Sequence, residues 1–282
     1  MLAAAKINLM LHITGKRADG YHLLQSLVMF AAIGDEVTLQ PSEDFSLQVR
    51  GEFAGALQGD NLVTRAAQAL ADAAGITPHG ALTLEKHLPV GAGLGGGSAD
   101  AAAALLLLAK EWKTNIPLAP IAATLGSDVP ACMEMTPLWM EETGHRITPL
   151  AVPFDVPVLL VNPGVEVSTQ AVYQQFLPPY AEPITLPGQF PTLESLVSFL
   201  QRTHNMLEKP ATRLAPAIRT ALYDMTMLQG CLLARMSGSG ATCFGVFATE
   251  EACIAAANTL SGLHPNWWIR ATRLTGNHGQ EK

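Results

Sequence analysis

Five glycines in seven residues (Gly91, Gly93, Gly95, Gly96 and Gly97) stand directly before a stretch, 99–110, that is apolar on nearly every face apart from Asp100. Glycine at this density frees the backbone for positive φ and removes side chains where main chain must approach something closely. The apolar stretch predicts a helix buried between other elements rather than one lying on a surface. Residues 89–98 (Pro89, Val90, Gly91, Ala92, Gly93, Leu94, Gly95, Gly96, Gly97, Ser98) follow a strand-like segment around 82–86. Successive N–H groups of such a loop can converge on one anion, and a helix beginning at Ala99 with Ser98 as its expected cap adds its positive dipole end. The loop reads as a phosphate cradle; the alternative is a tightly packed turn without a ligand.

Known cradles narrow the choice. A P-loop ends in Gly-Lys-Ser/Thr, and Gly97 is followed by Ser98 with no lysine. Gly91, Gly93 and Gly96 satisfy GxGxxG, but 111–117 offers no second strand ending in an acidic residue, as a dinucleotide fold requires. HRD and DFG signatures of protein kinases do not occur. A second glycine cluster, Gly238-Ser239-Gly240, misses the GxSxG elbow because Ser237 stands where glycine is needed. It reads either as a tight helix-to-strand connection or as a second wall of the phosphate site.

Charge sets a further limit. Seventeen Lys and Arg against 24 Asp and Glu give a net charge of −7, with no basic run to follow a nucleic-acid backbone. An anionic ligand must therefore be met by single placed cations and by backbone N–H groups. At 49% hydrophobic and 15% charged residues over 282 positions, the chain is globular and large enough for two lobes. The longest apolar run, 101–109, falls far short of the roughly 20 residues that span a bilayer. Residues 1–11 lack a basic n-region and are interrupted by Lys6 and Asn8, so they read as folded protein rather than a signal. Cys132, Cys231, Cys243 and Cys253 show no metal-binding spacing and are expected to be reduced and buried in a cytoplasmic protein.

Alternation at Phe45, Leu47 and Val49, at Val37 and Leu39, and at Leu82 and Leu84 predicts half-buried strands. Leu62, Ala66 and Leu70 predict an amphipathic helix over 61–74, with Asp60 or Asn61 as N-cap and Gly75 as stop. Prolines 149, 153 and 157 punctuate the chain before a short buried strand at 158–161, which places a lobe boundary near residue 150. Helices are expected around Leu193 to Leu200, between Pro216 and Gly230, and over 249–260, with strands at 243–247 and 267–273. The class is α/β or α+β in two lobes, 1–150 and 151–282. The adjacent Glu141 and Glu142 diverge on any regular element and read as a solvated face rather than a carboxylate pair.

Three segments, AKINL at 5–9, the 89–98 loop and SGSGA at 237–241, together resemble the GHMP kinases, a family of two-lobed, ATP-dependent small-molecule kinases. RADGYH at 17–22, DNL at 60–62, GAGLGGGSADAA from 91 and GSDVP at 126–130 extend the resemblance over nearly the whole chain. The resemblance implies an ATP-binding lobe over 1–150 and a substrate-binding lobe over 151–282. It further implies phosphorylation of the 2-hydroxyl of a cytidine-diphosphate-linked methylerythritol in non-mevalonate isoprenoid synthesis, with Mg²⁺ accompanying ATP and metal ligands unassigned. Asp128 would take the hydroxyl proton and Lys6 would hold the carboxylate and the transferring oxygen. Lys86, Asn61 and residues 89–98 with Ala99 would line the ATP side. Asn8, Tyr21, His22, Thr169, Tyr173, Gly238, Ser239 and Gly240 would contact the substrate, the aromatic rings gripping cytosine. Two alternatives stay open: a related kinase acting on homoserine or a mevalonate-type alcohol, and a non-catalytic nucleotide-binding module.

Overall fold

The computed structural model describes residues 1–57, 61–186 and 188–277. The chain forms two compact units: Met1–Lys6, Ile33–Val90 and Gly95–Met135 make the first, and Ile7–Ala32, Gly91–Leu94 and Thr136–Lys282 the second. A single cut near residue 150 does not describe this division. The reason is strand length: β1 (Leu2–Lys16) and β2 (His22–Gln40) each contribute residues to both units.

In the first unit, the end of β2 runs antiparallel to β4 (Gly80–Glu85), with Val37 opposite Leu84 and Leu39 opposite Leu82, and β3 (Phe45–Arg50) runs parallel to β4. The alternating apolar residues thus share one face, as their spacing requires. Four helices join this sheet: α1 (Leu62–Ala74), α2 (Gly96–Glu111), α3 (Leu118–Leu125) and α4 (Val129–Glu134). Asn61 caps α1, its side chain accepting from the Val63 N–H at 2.9 Å, and Gly75 ends it in the left-handed region. Asp60, the other candidate cap, lies outside the described residues. In α2, Ala99 through Leu105 and Leu108 are buried, and α1, α3 and α4 all pack on it, so it is the enclosed helix its composition predicts.

In the second unit, β10 (Trp268–Leu274) runs antiparallel to β7 (Val156–Asn162), β7 to β9 (Cys243–Phe247) and β9 to β8 (Cys231–Met236). The hairpin of β5 (Leu138–Glu142) and β6 (Arg146–Pro149) pairs with the start of β2. Helices α5 (Thr169–Gln174), α6 (Leu193–Gln201), α7 (Glu208–Leu214), α8 (Ala217–Thr226) and α9 (Glu250–Leu263) complete the unit. Its core gathers Ile13, Leu159, Val161, Ile218, Met225, Phe247 and Leu260. Helix α8 stops at Thr226, before Gly230, and α9 runs three residues beyond Leu260. The architecture is the mixed α/β arrangement read from the sequence. All four cysteines are free thiols; Cys231 is half-buried rather than enclosed, and the other three are buried. Among the described residues no helix is long and apolar enough to cross a membrane.

Buried polar groups in this second unit make its stability sensitive to acid. The Arg235 guanidinium donates to the carbonyls of Leu9, Leu200 and Thr203 at 2.7–2.8 Å. His12 lies beside it, ring to ring with His204 at 4.6 Å, and Nε2 accepts from the His204 N–H. Burial, then the charges of His204 and Arg235, lowers the His12 pKa to about 4. Above pH 6.5 His12 is neutral folded or unfolded. Between pH 6.5 and 4 only the unfolded chain takes up the proton, so stability falls as pH falls, by at most about 3 kcal/mol from this group. Thermal unfolding followed across that window should show Tm dropping toward pH 4, and His12→Phe should flatten the drop.

Candidate active site

Within the second unit, the loop segment Gly91–Leu94 is shaped by the other glycine cluster. Gly93 has φ +74°, and a Cβ there would lie 2.5 Å from the Ser237 carbonyl oxygen and 2.9 Å from the Gly240 nitrogen. Ser237 Oγ donates to the Gly93 carbonyl at 3.0 Å, and the Thr242 N–H donates to the Ala92 carbonyl at 3.0 Å. The second cluster is therefore a wall against which Gly91–Leu94 rests, and it joins strand β8 to strand β9 rather than a helix to a strand, because 231–236 is extended. Asn205 Nδ2 supports that wall by donating to the carbonyls of Met236 and Gly238, each at 2.8 Å. Asn8 joins it too: its N–H donates to Ser237 Oγ at 3.1 Å and its amide to Ser26 Oγ at 2.8 Å. The hydroxyls of Thr169 and Ser239 lie 2.8 Å apart.

In the first unit the loop resumes at Gly95. Helix α2 begins at Gly96, two residues before the expected Ser98 cap; the N-cap is Gly95, at φ 64° with no side-chain capping bond. Glycine accepts this left-handed conformation without the roughly 1–2 kcal/mol that a Cβ would add, so the helix starts as early as the glycines permit. The first helical bond runs from the Ala99 N–H to the Gly95 carbonyl, which leaves the amides of Gly96, Gly97 and Ser98 ahead of the ladder, where an anion can use them. Ala99 of this unit is buried, as is Leu94 of the second, while Pro89 and Val90 are half-buried.

Lys6 and Asp128 meet in this same unit. The Lys6 ammonium, on buried β1, lies 3.1 Å from Asp128 Oδ2, whose side chain is 34% exposed. Asp128 occupies the N-cap position of α4, yet its side chain caps nothing. It is held instead by the ammonium. The Lys6 stem in turn packs on Gly95: a Cβ at that glycine would come within 3.0 Å of Lys6 Cε and 3.2 Å of its Cβ.

A second lysine is used differently. Lys86 is buried and donates to Asp35 and, at 2.8 Å, to Asp100 Oδ2. Asp35 also accepts the N–H groups of His87 and Leu88, at 2.6 and 2.9 Å. Burial opposes the Lys86 charge, but the carboxylates of Asp100 and Asp35 overcome it and raise its pKa. Burial, against the pull of Lys86 and helped by Asp35, pushes Asp100 up to about 7. The Lys86 ammonium is thus committed to two carboxylates, and the Asn61 carbonyl oxygen to its helix.

Aromatic residues gather in the second unit. The His22 ring lies 5.2 Å from Tyr173 and edge-on to Phe176 at 5.8 Å, and Phe176 continues to Tyr180 at 6.1 Å. Burial and then Lys16 lower the His22 pKa, keeping the ring neutral. Tyr21 is 67% exposed beside them, at the end of a turn closed by the Arg17 N–H on the Tyr21 carbonyl. Glu141 and Glu142 diverge: the first accepts from Gln25 at 3.1 Å, and the second pairs with His145. Asp35, Asp100, Ser26, Ser237, Asn205 and Phe176 were not anticipated from the sequence. Of these, two carried a visible signal: Asp35, an acidic residue inside the strand run FAAIGDEV, and Asp100, the one polar residue in the apolar run of α2.

A glycine cradle without a Walker lysine, joined to a lysine–carboxylate pair in an α/β chain, defines a small-molecule kinase using ATP as phosphoryl donor. The chain belongs to the GHMP kinase family: residues 61–134 match the profile for the GHMP kinases N terminal domain and 186–263 that for the GHMP kinases C terminal domain. A 4-diphosphocytidyl-2-C-methyl-D-erythritol kinase of Cereibacter sphaeroides is 50% identical over 97% of this chain and 98% of its own. The enzyme of the same name from Parvibaculum lavamentivorans is 47% identical, covering 97% of each. A crystal structure of 4-(cytidine 5'-diphospho)-2C-methyl-D-erythritol kinase superposes with a TM-score of 0.81 at 34% identity, over 98% of this chain and 99% of that one.

Gly95→Ala tests the packing of loop on lysine. The strain is about 1–2 kcal/mol, too little to unfold the protein, but the new methyl displaces Lys6. Steady-state assays should show kcat lowered by about tenfold or more with the protein still folded by circular dichroism.

Proposed function

We propose that this protein transfers the γ-phosphoryl group of ATP to the 2-hydroxyl of 4-diphosphocytidyl-2-C-methyl-D-erythritol, a step of non-mevalonate isoprenoid synthesis carried out in the cytoplasm. The observation that carries the reading is the Lys6–Asp128 pair at 3.1 Å beside the start of α2. Asp128 Oδ accepts the proton of the acceptor hydroxyl as its oxygen bonds to the γ-phosphorus, and the electron pair of the breaking bond leaves with ADP. Lys6 holds the carboxylate in place and offsets charge on the transferring oxygens. Such a loose transition state asks mainly for positioning and neutralisation, which a fixed ammonium and aligned amides supply.

Residues of the second unit support the acceptor's identity. His22 and Tyr173 present flat rings suited to a pyrimidine, and a neutral His22 can meet a base edge with a hydrogen bond. An aliphatic alcohol such as homoserine or mevalonate has nothing for these rings to stack on. Asn8, Thr169 and the Gly238–Ser239–Gly240 turn contribute hydroxyl and amide donors for the remaining oxygens of the substrate.

Magnesium needs only one or two protein oxygens when phosphates supply the rest. Among the described residues no group of three or more His, Cys, Asp or Glu could hold a metal by itself. Asp128 and the Ser98 hydroxyl are the oxygens suited to an ion that arrives with ATP. When bound, that ion neutralises charge on the β- and γ-phosphates.

Release of ADP measured with the cytidyl alcohol, homoserine and mevalonate as acceptors tests the assignment: turnover should occur with the first, and turnover confined to either other alcohol rejects it. Asp128→Asn should leave ATP affinity within a few-fold and lower kcat by about 10²-fold or more; an unaltered kcat removes Asp128 from proton transfer. Tyr21→Ala should raise KM for the cytidyl alcohol more than KM for ATP, and the opposite pattern would place Tyr21 on the wrong ligand.

A further inference from the structure

The cluster Asp35–Lys86–Asp100 takes no part in the chemistry above, yet it is the most enclosed group of charges in the first unit: Asp35 is fully buried, and Lys86 and Asp100 are each 3% exposed. A buried ion cluster is weak support for stability, because apolar residues of similar volume do as well or better. Its position offers another reason for it. Asp35 accepts the amides of His87 and Leu88, which fixes the chain just before the glycine loop. Asp100, the fifth residue of α2, grips the chain just after it. Helical side chains lean toward the N-terminus, so the Asp100 carboxylate lies over the turn that Gly96 and Gly97 begin. The Gly96 main chain packs on the same ions: a Cβ there would sit 3.5 Å from both Asp35 Oδ2 and Lys86 Nζ. Lys86 joins the two carboxylates. The two ends of the loop are thus fastened to one ammonium.

We propose that Asp100 is a positioning residue for ATP: through Lys86 and Asp35 it fixes the first turn of α2, and so the direction in which the amides of Gly96, Gly97 and Ser98 meet the triphosphate. Asp100 Oδ1 is buried and without a hydrogen-bond partner among the described residues. Lys86 on this account serves ATP by holding the loop.

The inference rests on the reading of the loop as the triphosphate site, and the test separates the two. KM for ATP and for the cytidyl alcohol, with Tm in the absence of nucleotide, would be measured for the wild type, Asp100→Ala and Asp100→Asn. Asp100→Ala should raise KM for ATP about tenfold or more and leave the acceptor KM within about twofold; Asp100→Asn, which keeps an oxygen for Lys86, should recover most of that loss. If Asp100→Ala leaves KM for ATP unaltered, if both KM values rise together with a fall in Tm, or if asparagine does no better than alanine, the inference is overturned. Should Asp100→Ala not fold, Asp100→Ser, which leaves the Lys86–Asp35 pair in place and shortens the side chain, is judged by the same KM split. A wild-type enzyme that ATP does not saturate would instead overturn the reading of the loop.

Discussion

Positive φ at two alternate glycines is the constraint on which the other features depend. At Gly93 the left-handed turn lets the main chain lie against Ser237 and Gly240 with no room for a Cβ, and at Gly95 it lets helix α2 begin early with the Lys6 stem against it. Any other residue at either place would be strained and would collide with what it touches. The same few torsions settle where the helix starts, which amides precede its ladder and where the lysine can lie. The geometry of the candidate site is a consequence of backbone shape more than of side-chain reach.

The acidic balance of the chain gives its lysines distinct duties. With a net charge of −7, the protein has no positive field to gather a nucleotide from a distance. Lys6 and Lys86 are each fixed by carboxylates. Lys6 pairs with a partly exposed Asp128. Lys86 pairs with two enclosed carboxylates, where no ligand is needed to explain it. The difference between a chemical role and a supporting one lies in the exposure of the partner, not in the type of bond.

Much of this was legible in the sequence, and the limits have physical causes. Period-2 and period-3.6 patterns located β3, β4 and α1 because each has one face in a core, and the apolar run located α2 because all its faces are enclosed. Lys6 and Asp128 came from motif resemblance, since two residues 122 positions apart carry no local sign that they will meet. The Ser98 cap was wrong because capping statistics favour serine wherever a glycine does not take the left-handed conformation first. The compact units do not follow a cut near residue 150, because prolines mark breaks in local structure whereas long strands contribute residues to both units. Short helices such as α4 and α5, at six residues each, are too brief to display a period. Asp100 was visible only as the one polar residue in an apolar run; its partners on β2 and after β4 are fixed by the tertiary fold.

The most direct measurement of the central claim is a crystal structure of the enzyme with a non-hydrolysable ATP analogue. The account predicts the β- and γ-phosphates within hydrogen-bond distance of the amides of Gly96, Gly97 and Ser98, with Lys6 still at Asp128. A triphosphate bound elsewhere, with those amides making no contact to it, would contradict it.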